Sequence, residues 1–331
     1  MTPETASGAP NPFSPSPPRV LEHPDEVGAE RQRQAARTTS RAELTLRHPS
    51  LDRVSRDVGD LEEAALGDLL REDPDEAMAL LADLARATDV RLRAAARRLA
   101  RSIALRPPSA GAATPNGRPR LTTLPQPDGG DLDLDATLGR LDATPYLRGE
   151  DLHVRDWRRR GTAYVLLVDV SGSVAGARLA TAVLAAGALA SRLRPGDELA
   201  VVAFARDALV LRAIDAAAPP GDVVDALLDL RGHGTTDVAH GLTVGLRQAA
   251  RARSPRREVV VLGDGVATAG GDASGVASDA GRLGARIHVL AVDDADEART
   301  ACRAIAAAGG GRVAPLRRPS DAADALATVL A

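Results

Sequence analysis

The chain has 331 residues, a formal net charge of -3 and 44% hydrophobic residues, enough for one large domain with sizeable flanks or a smaller second unit. The near-neutral balance provides no global drive toward nucleic acid or acidic membranes. Every one of the 42 basic residues is arginine, aromatics are only 2%, and the single cysteine, Cys302, excludes an intramolecular disulfide or a thiolate metal cluster.

Residues 1–38 are rich in Pro, Ser, Gly and charge, and the composition predicts a disordered tail. The tail lacks a basic start followed by an apolar stretch, so no secretion signal is expected. The most apolar stretch, Leu179–Ala190, is interrupted by Thr181 and Gly187 and is too short to span a bilayer. A cytoplasmic protein is the expectation.

Residues 39–106 read as a helical region. Leu61, Ala65, Leu66, Leu69 and Leu70 recur at helical spacing. Asp73-Pro74-Asp75-Glu76 then combines an N-cap acid, proline at the first helical position and an acid at the third. Val90, Leu92, Ala96, Leu99 and Ile103 mark a last helix, interleaved with Arg91, Arg93, Arg97, Arg98 and Arg101. No aromatic or base-reading motif accompanies those arginines, so a solvated face is expected rather than a nucleic-acid surface.

Residues 107–161 form a linker and lead-in segment. Within it, Asp131, Asp133 and Asp135 alternate as at the start of a calcium loop. Ala136 and Asp142 stand where such a loop needs glycine and a bidentate glutamate, so a short extended piece or helix start is expected instead.

From Thr162 to the C-terminus strand and helix patterns alternate. Strands are predicted at Ala163–Val168, Leu199–Phe204, Ala208–Ile214, Glu258–Leu262, Arg286–Val292 and Arg312–Leu316. Helices are predicted at Ala177–Leu193, Asp222–Leu230, Val238–Ala252, Ser274–Leu283, Asp296–Ala308 and Ser320–Leu330. The implied fold class is α/β: a doubly wound, mostly parallel sheet with helices on both faces, plus one antiparallel edge strand from a tight hairpin at Ala205-Arg206-Asp207. Cys302 falls in a helix of this unit, where a small buried hydrophobe is its expected role.

Ligands of such sheets bind beyond the carboxyl ends of the strands. The first strand ends there in Asp169, followed by Ser171 and Ser173, a turn that aims three hard oxygens at one point. Gly234-x-Thr236 precedes one helix, and Asp264-Gly265 ends another buried strand.

Asp169-x-Ser171-x-Ser173, then Gly234-x-Thr236 with Gly241-Leu242 beyond it, then Asp264-Gly265, resembles the metal-ion-dependent adhesion site of a von Willebrand factor A (VWA) domain. The resemblance covers residues 162–331. It implies that Ser171, Ser173 and Thr236 ligate a divalent cation, Mg²⁺ or alternatively Mn²⁺. Asp169 and Asp264 would lie close, directly or through water, and one coordination position would be left for a carboxylate from a partner protein. Gly263 stands where Thr or Ser is common, which implies one missing outer hydroxyl and lower affinity. The arrangement ahead of this unit resembles intracellular bacterial proteins of the magnesium-chelatase-subunit and carbon-monoxide-dehydrogenase-maturation type, which work beside AAA+ ATPases of the MoxR or chelatase kind.

Two functional classes follow. One is a non-enzymatic, metal-dependent interaction module, an adaptor or co-chaperone for such an ATPase; its alternative is a non-catalytic subunit of a metal-insertion complex. The other is an enzyme. Against the latter, a chain without lysine holds no G-x-x-x-x-G-K-[ST] loop, and Ser171 lies in S-G-S rather than G-x-S-x-G. His233 and His240 flank Thr236 and read as loop and helix-surface residues. Adhesion outside the cell and RNA binding are both disfavoured.

Overall fold

The computed structural model describes residues 17–106, 120–125, 131–139, 152–158, 161–172, 175–217, 219, 221–232 and 234–331. The chain opens with β1 (Val20–Leu21) and α1 (Pro24–Ala35), inside the stretch expected to be disordered. The expectation fails for these residues because their partners are remote in sequence. Val20 and Leu21 pair with Ala208 and Leu209, and Arg31 on α1 donates to Asp229 at 2.8 Å. Residues 1–16 lie outside the described residues.

The helical region comprises α2 (Arg41–Arg47), α3 (Leu51–Val54), α4 (Glu63–Glu72), α5 (Pro74–Leu84) and α6 (Val90–Ala104). Asp73 caps α5 as the sequence predicts, accepting from Glu76 N at 3.0 Å with Pro74 in the first turn. The arginine face of α6 is less solvated than expected. Arg97 donates to Asp229 at 2.5 Å and Arg101 to Asp225 at 2.8 Å, across to a helix more than a hundred residues away.

In the segment expected as linker and lead-in, β2 (Arg120–Pro125), β3 (Asp131–Leu132), α7 (Leu134–Leu138) and β4 (His153–Arg158) appear. β4 pairs antiparallel with both β2 and β3. Asp133 caps α7, so the alternating acids there are a short strand followed by a helix start, as anticipated.

The α/β unit follows as β5 (Thr162–Asp169), α8 (Gly176–Arg192), β6 (Glu198–Phe204), β7 (Ala208–Arg212), α9 (Asp222–Asp229), α10 (Val238–Arg251) and β8 (Arg256–Gly263). It finishes with α11 (Ala273–Ser278), β9 (Ala285–Ala291), α12 (Asp296–Ala308), β10 (Gly310–Pro315) and α13 (Ala322–Leu330). The sheet order is β1-β7-β6-β5-β8-β9-β10. β5 is central and parallel to both neighbours, while β7 runs antiparallel to β6 and carries the two-residue β1 on its outer side.

β5 is buried on both faces, and alternate residues serve opposite layers. Leu166 and Val168 pack toward α8, and Val165 and Leu167 toward α10. Burying each such side chain stabilises by about 1.5–3 kcal/mol, which makes β5 a rigid carrier for Asp169 at its end.

Helix α8 is buried on two sides because the helical region covers its outer face. Leu80, Leu81 and Leu84 of α5 share one apolar cluster with Leu179, Val183 and Leu189 of α8. Gly187, which interrupts the apolar pattern in the sequence, is where α6 touches α8: a Cβ there would stand 2.2 Å from the Ala104 carbonyl oxygen. Among the described residues no helix is long and apolar enough to cross a membrane.

Candidate metal centre

The rim at the carboxyl ends of the parallel strands gathers the site residues. Asp169 ends β5, and its register partner Phe204 ends β6. Beyond Phe204, the Ala205 carbonyl accepts from Asp237 N at 2.9 Å, which fixes the Thr236–Asp237 pair beside the same rim. The carbonyl of Thr236 accepts from Thr268 N at 3.0 Å and Ala269 N at 3.1 Å, and Thr236 N donates to the Thr268 hydroxyl at 2.8 Å. Thr268 and Ala269 lie on the loop that leaves β8 through Asp264, so backbone hydrogen bonds tie the loops together in a continuous path.

The two aspartates are held alike. Asp169 Oδ1 accepts from Ser171 N at 2.8 Å, and Asp264 Oδ1 accepts from Val266 N at 2.9 Å. Each turn needs a left-handed residue after or between these partners, supplied by Gly172 (φ +63°) and Gly265 (φ +71°).

Asp169, Ser171 and Asp264 line one cavity of about 100 Å³, together with Gly263, Arg178 and Arg317. Burial raises the Asp169 pKa above its ordinary value and the nearby Asp264 charge adds to that, against the hydrogen bond from Ser171 N and the charge of Arg178. Gly263 has a steric role here: a Cβ on it would lie 3.0 Å from Asp169 Cβ and 3.3 Å from Asp169 Oδ2. A larger residue would push on the carboxylate.

Thr236 is 5% exposed and lies on the rim, though it is not among the residues lining that cavity. Ser173, and with it Val174 and His233, lies outside the described residues. His240 sits in α10 with Nε2 3.3 Å from the Arg19 carbonyl, turned toward β1. Cys302 is buried as expected, and its thiol donates to the Asp264 carbonyl at 3.2 Å.

Arg178 and Arg317 were not anticipated. Arg178 had a signal, since a cation in the first turn of a helix runs against the helix dipole. Arg317 follows β10 with no local pattern to mark it.

Residues 164–266 match the family model of the von Willebrand factor type A domain. The chain contains a VWA domain. Among curated proteins none matches the sequence. The solved structures it resembles include an aerotolerance-related membrane protein from Bacteroides fragilis, at 21% identity and TM-score 0.41, covering 51% of this chain and 98% of that one. Another is BatB from Bacteroides thetaiotaomicron, at 20% identity and TM-score 0.40, with 51% and 96% covered. A von Willebrand factor type A protein from Catenulispora acidiphila matches at 20% identity and TM-score 0.42, with 51% and 42% covered. The VWA domain is a protein-interaction module, and its rim of loops is the part of this chain built around paired acids.

Proposed function

We propose that this chain is a non-enzymatic interaction module whose VWA domain holds Mg²⁺ or Mn²⁺ on Asp169, Ser171, Ser173, Thr236 and Asp264 and binds a partner's Asp or Glu carboxylate. The observation that carries the reading is the convergence of Asp169, Ser171 and Asp264 on one small cavity at the carboxyl rim. The donor set supports a hard divalent cation, since carboxylate and hydroxyl oxygens suit Mg²⁺ or Mn²⁺ and poorly suit softer metals. The electrostatics agree: burial and the neighbouring Asp264 both disfavour the charged form of Asp169, the setting in which a cation is most welcome.

Each residue has a distinct part. Asp169 and Asp264 supply negative charge and hold the turns through Ser171 N and Val266 N. Ser171 donates its backbone N–H to Asp169, and its hydroxyl is the ligand. Thr236 is pinned through its backbone to the loop after Asp264. The bound cation would supply the attraction for a partner carboxylate that this acidic rim otherwise repels.

The partner is an AAA+ ATPase of the MoxR or chelatase kind, or its client, and the protein acts in the cytoplasm as its adaptor. What supports this finer reading is the order of a helical region, residues 39–106, a lead-in segment and the VWA domain. Co-purification from the native cell tests it. The partner should be retained in Mg²⁺ and lost with chelator or in Asp169→Ala; equal retention in all three would refute metal-dependent binding.

A further inference from the structure

Helix α8, which follows the Asp169–Ser171 turn, starts without a cap of its own. Ala175 stands at its N-cap with no side-chain acceptor, and the N–H of its first residue, Gly176, has no intrahelical partner. The acceptor comes from 93 residues upstream, where Asp83 Oδ1 of α5 lies 2.8 Å from Gly176 N.

Asp83 is 1% exposed and is itself held in place. Its Oδ2 faces His48 Nε2 at 3.1 Å and Arg47 Nη1 at 3.5 Å. On its other side, His48 Nδ1 meets Glu76 Oε1 at 3.2 Å, and Ser50 Oγ donates to the same oxygen at 2.6 Å. The imidazole is 4% exposed, so a buried chain of polar groups runs from the end of α2 through α5 to the first turn of α8. Burial alone would raise the Asp83 pKa, yet hydrogen bonds from His48 and Gly176 hold it below its ordinary value. For His48 burial opposes protonation, and Asp83 and Glu76 together raise its pKa all the same. A charged carboxylate is favoured at a helix N-terminus, where the dipole is positive.

We propose that Asp83 is a positioning residue for the metal site, pinning Gly176 so that the helical region sets where α8 begins behind the Asp169–Ser171 turn. This rests on the metal-site reading above. Ser171 is fixed on one side by Asp169, and Asp83 fixes the chain five positions later. A partner that draws α5 away from α8 therefore frees the first turn of α8 beside the site, and by reciprocity a bound cation tightens the grip of α8 on α5. Other contacts also join the two parts of the molecule, but this one meets the helix that follows the Asp169–Ser171 turn at its first residue.

The test combines amide exchange at Gly176, followed by NMR on the metal-free protein, with Mn²⁺ binding followed by paramagnetic resonance. In wild type the Gly176 amide should be protected although it opens a helix, and fast exchange there would overturn the proposal without any variant. Asp83→Ala should expose that amide and weaken Mn²⁺ binding by about tenfold, the loss typical of a group that orients a metal ligand. Asp83→Asn, which keeps an oxygen acceptor, should recover most of both. Binding lost in Asp169→Ala but unchanged in a folded Asp83→Ala would overturn this inference alone. Binding in Asp169→Ala as tight as in wild type would overturn the metal site and this inference with it.

Discussion

Glu258 enters the sheet near the start of β8, and Asp169 leaves it at the end of β5, yet burial acts on the two carboxylates in opposite company. Glu258 is 1% exposed and receives His288 Nε2 at 2.9 Å, with Arg256 and Arg286 on its other oxygen. Arg312 N donates to His288 Nδ1 at 3.1 Å, which leaves Nε2 to carry the proton toward Glu258. Burial alone would raise the Glu258 pKa, but these hydrogen bonds hold it at about 2. Asp169 is half-buried, has Ser171 as its hydrogen-bond partner, and faces a second acid, Asp264, so its pKa moves up instead. At one end of the sheet the fold brings its own cations to a buried acid. At the other it brings another acid, and the compensation has to come from outside.

The largest effect should come from breaking the compensated end. Glu258→Ala leaves His288, Arg256 and Arg286 without their common anion, and we expect a loss of about 3–5 kcal/mol in urea unfolding. A loss under about 0.5 kcal/mol would mean that the cluster is not structural. The pH dependence follows with its sign. Because the folded pKa of Glu258 lies at about 2, below its ordinary 4.5, its stabilisation is present above pH 4.5 and is lost as pH falls toward 2. Wild type should show this acid loss and Glu258→Ala should lack it.

A smaller change of opposite sign is expected at the other end. The Asp169 pKa is raised above its ordinary 3.8, so in metal-free protein the ionised carboxylate costs stability once pH rises through the folded value. Asp169→Asn should therefore stabilise the metal-free protein by about 0.5–2 kcal/mol at neutral pH while removing any stabilisation by Mg²⁺. Thermal unfolding with and without metal reads both effects. A destabilised Asp169→Asn that still responds to Mg²⁺ would break the comparison.

The smallest effect concerns Gly263. Because a Cβ there would press on Asp169, Gly263→Ser should weaken Mn²⁺ binding, by less than about tenfold, rather than strengthen it with an added hydroxyl. Tighter binding in Gly263→Ser would restore the reading that the glycine merely lacks an outer hydroxyl.

How much of this the sequence discloses depends on how local the cause is. The apolar run Val165–Val168, the helical spacing of α10 and α12 and the Asp73 cap are written in neighbouring residues, and each was legible. Thr162–Leu330 accordingly folds much as its pattern reads. β1 was not legible, because two residues carry no pattern and their partner strand is some 188 positions away. The same holds for Asp83 and Gly176, and for the ion pairs of α6 with α9, where the contact exists only after the helical region has docked. In the candidate site the aspartates and Ser171 could be read from spacing. Their shared cavity with Arg178 and Arg317, and the close approach of Gly263, could not.

On the function proposed above, the acids at the carboxyl rim await a cation that the protein does not itself supply. Calorimetric titration of the metal-free protein with Mn²⁺ at neutral pH tests it most directly. One saturable site per chain is expected, abolished in Asp169→Ala and retained in folded Glu258→Gln. No binding to wild type, or binding that persists undiminished in Asp169→Ala, would contradict it.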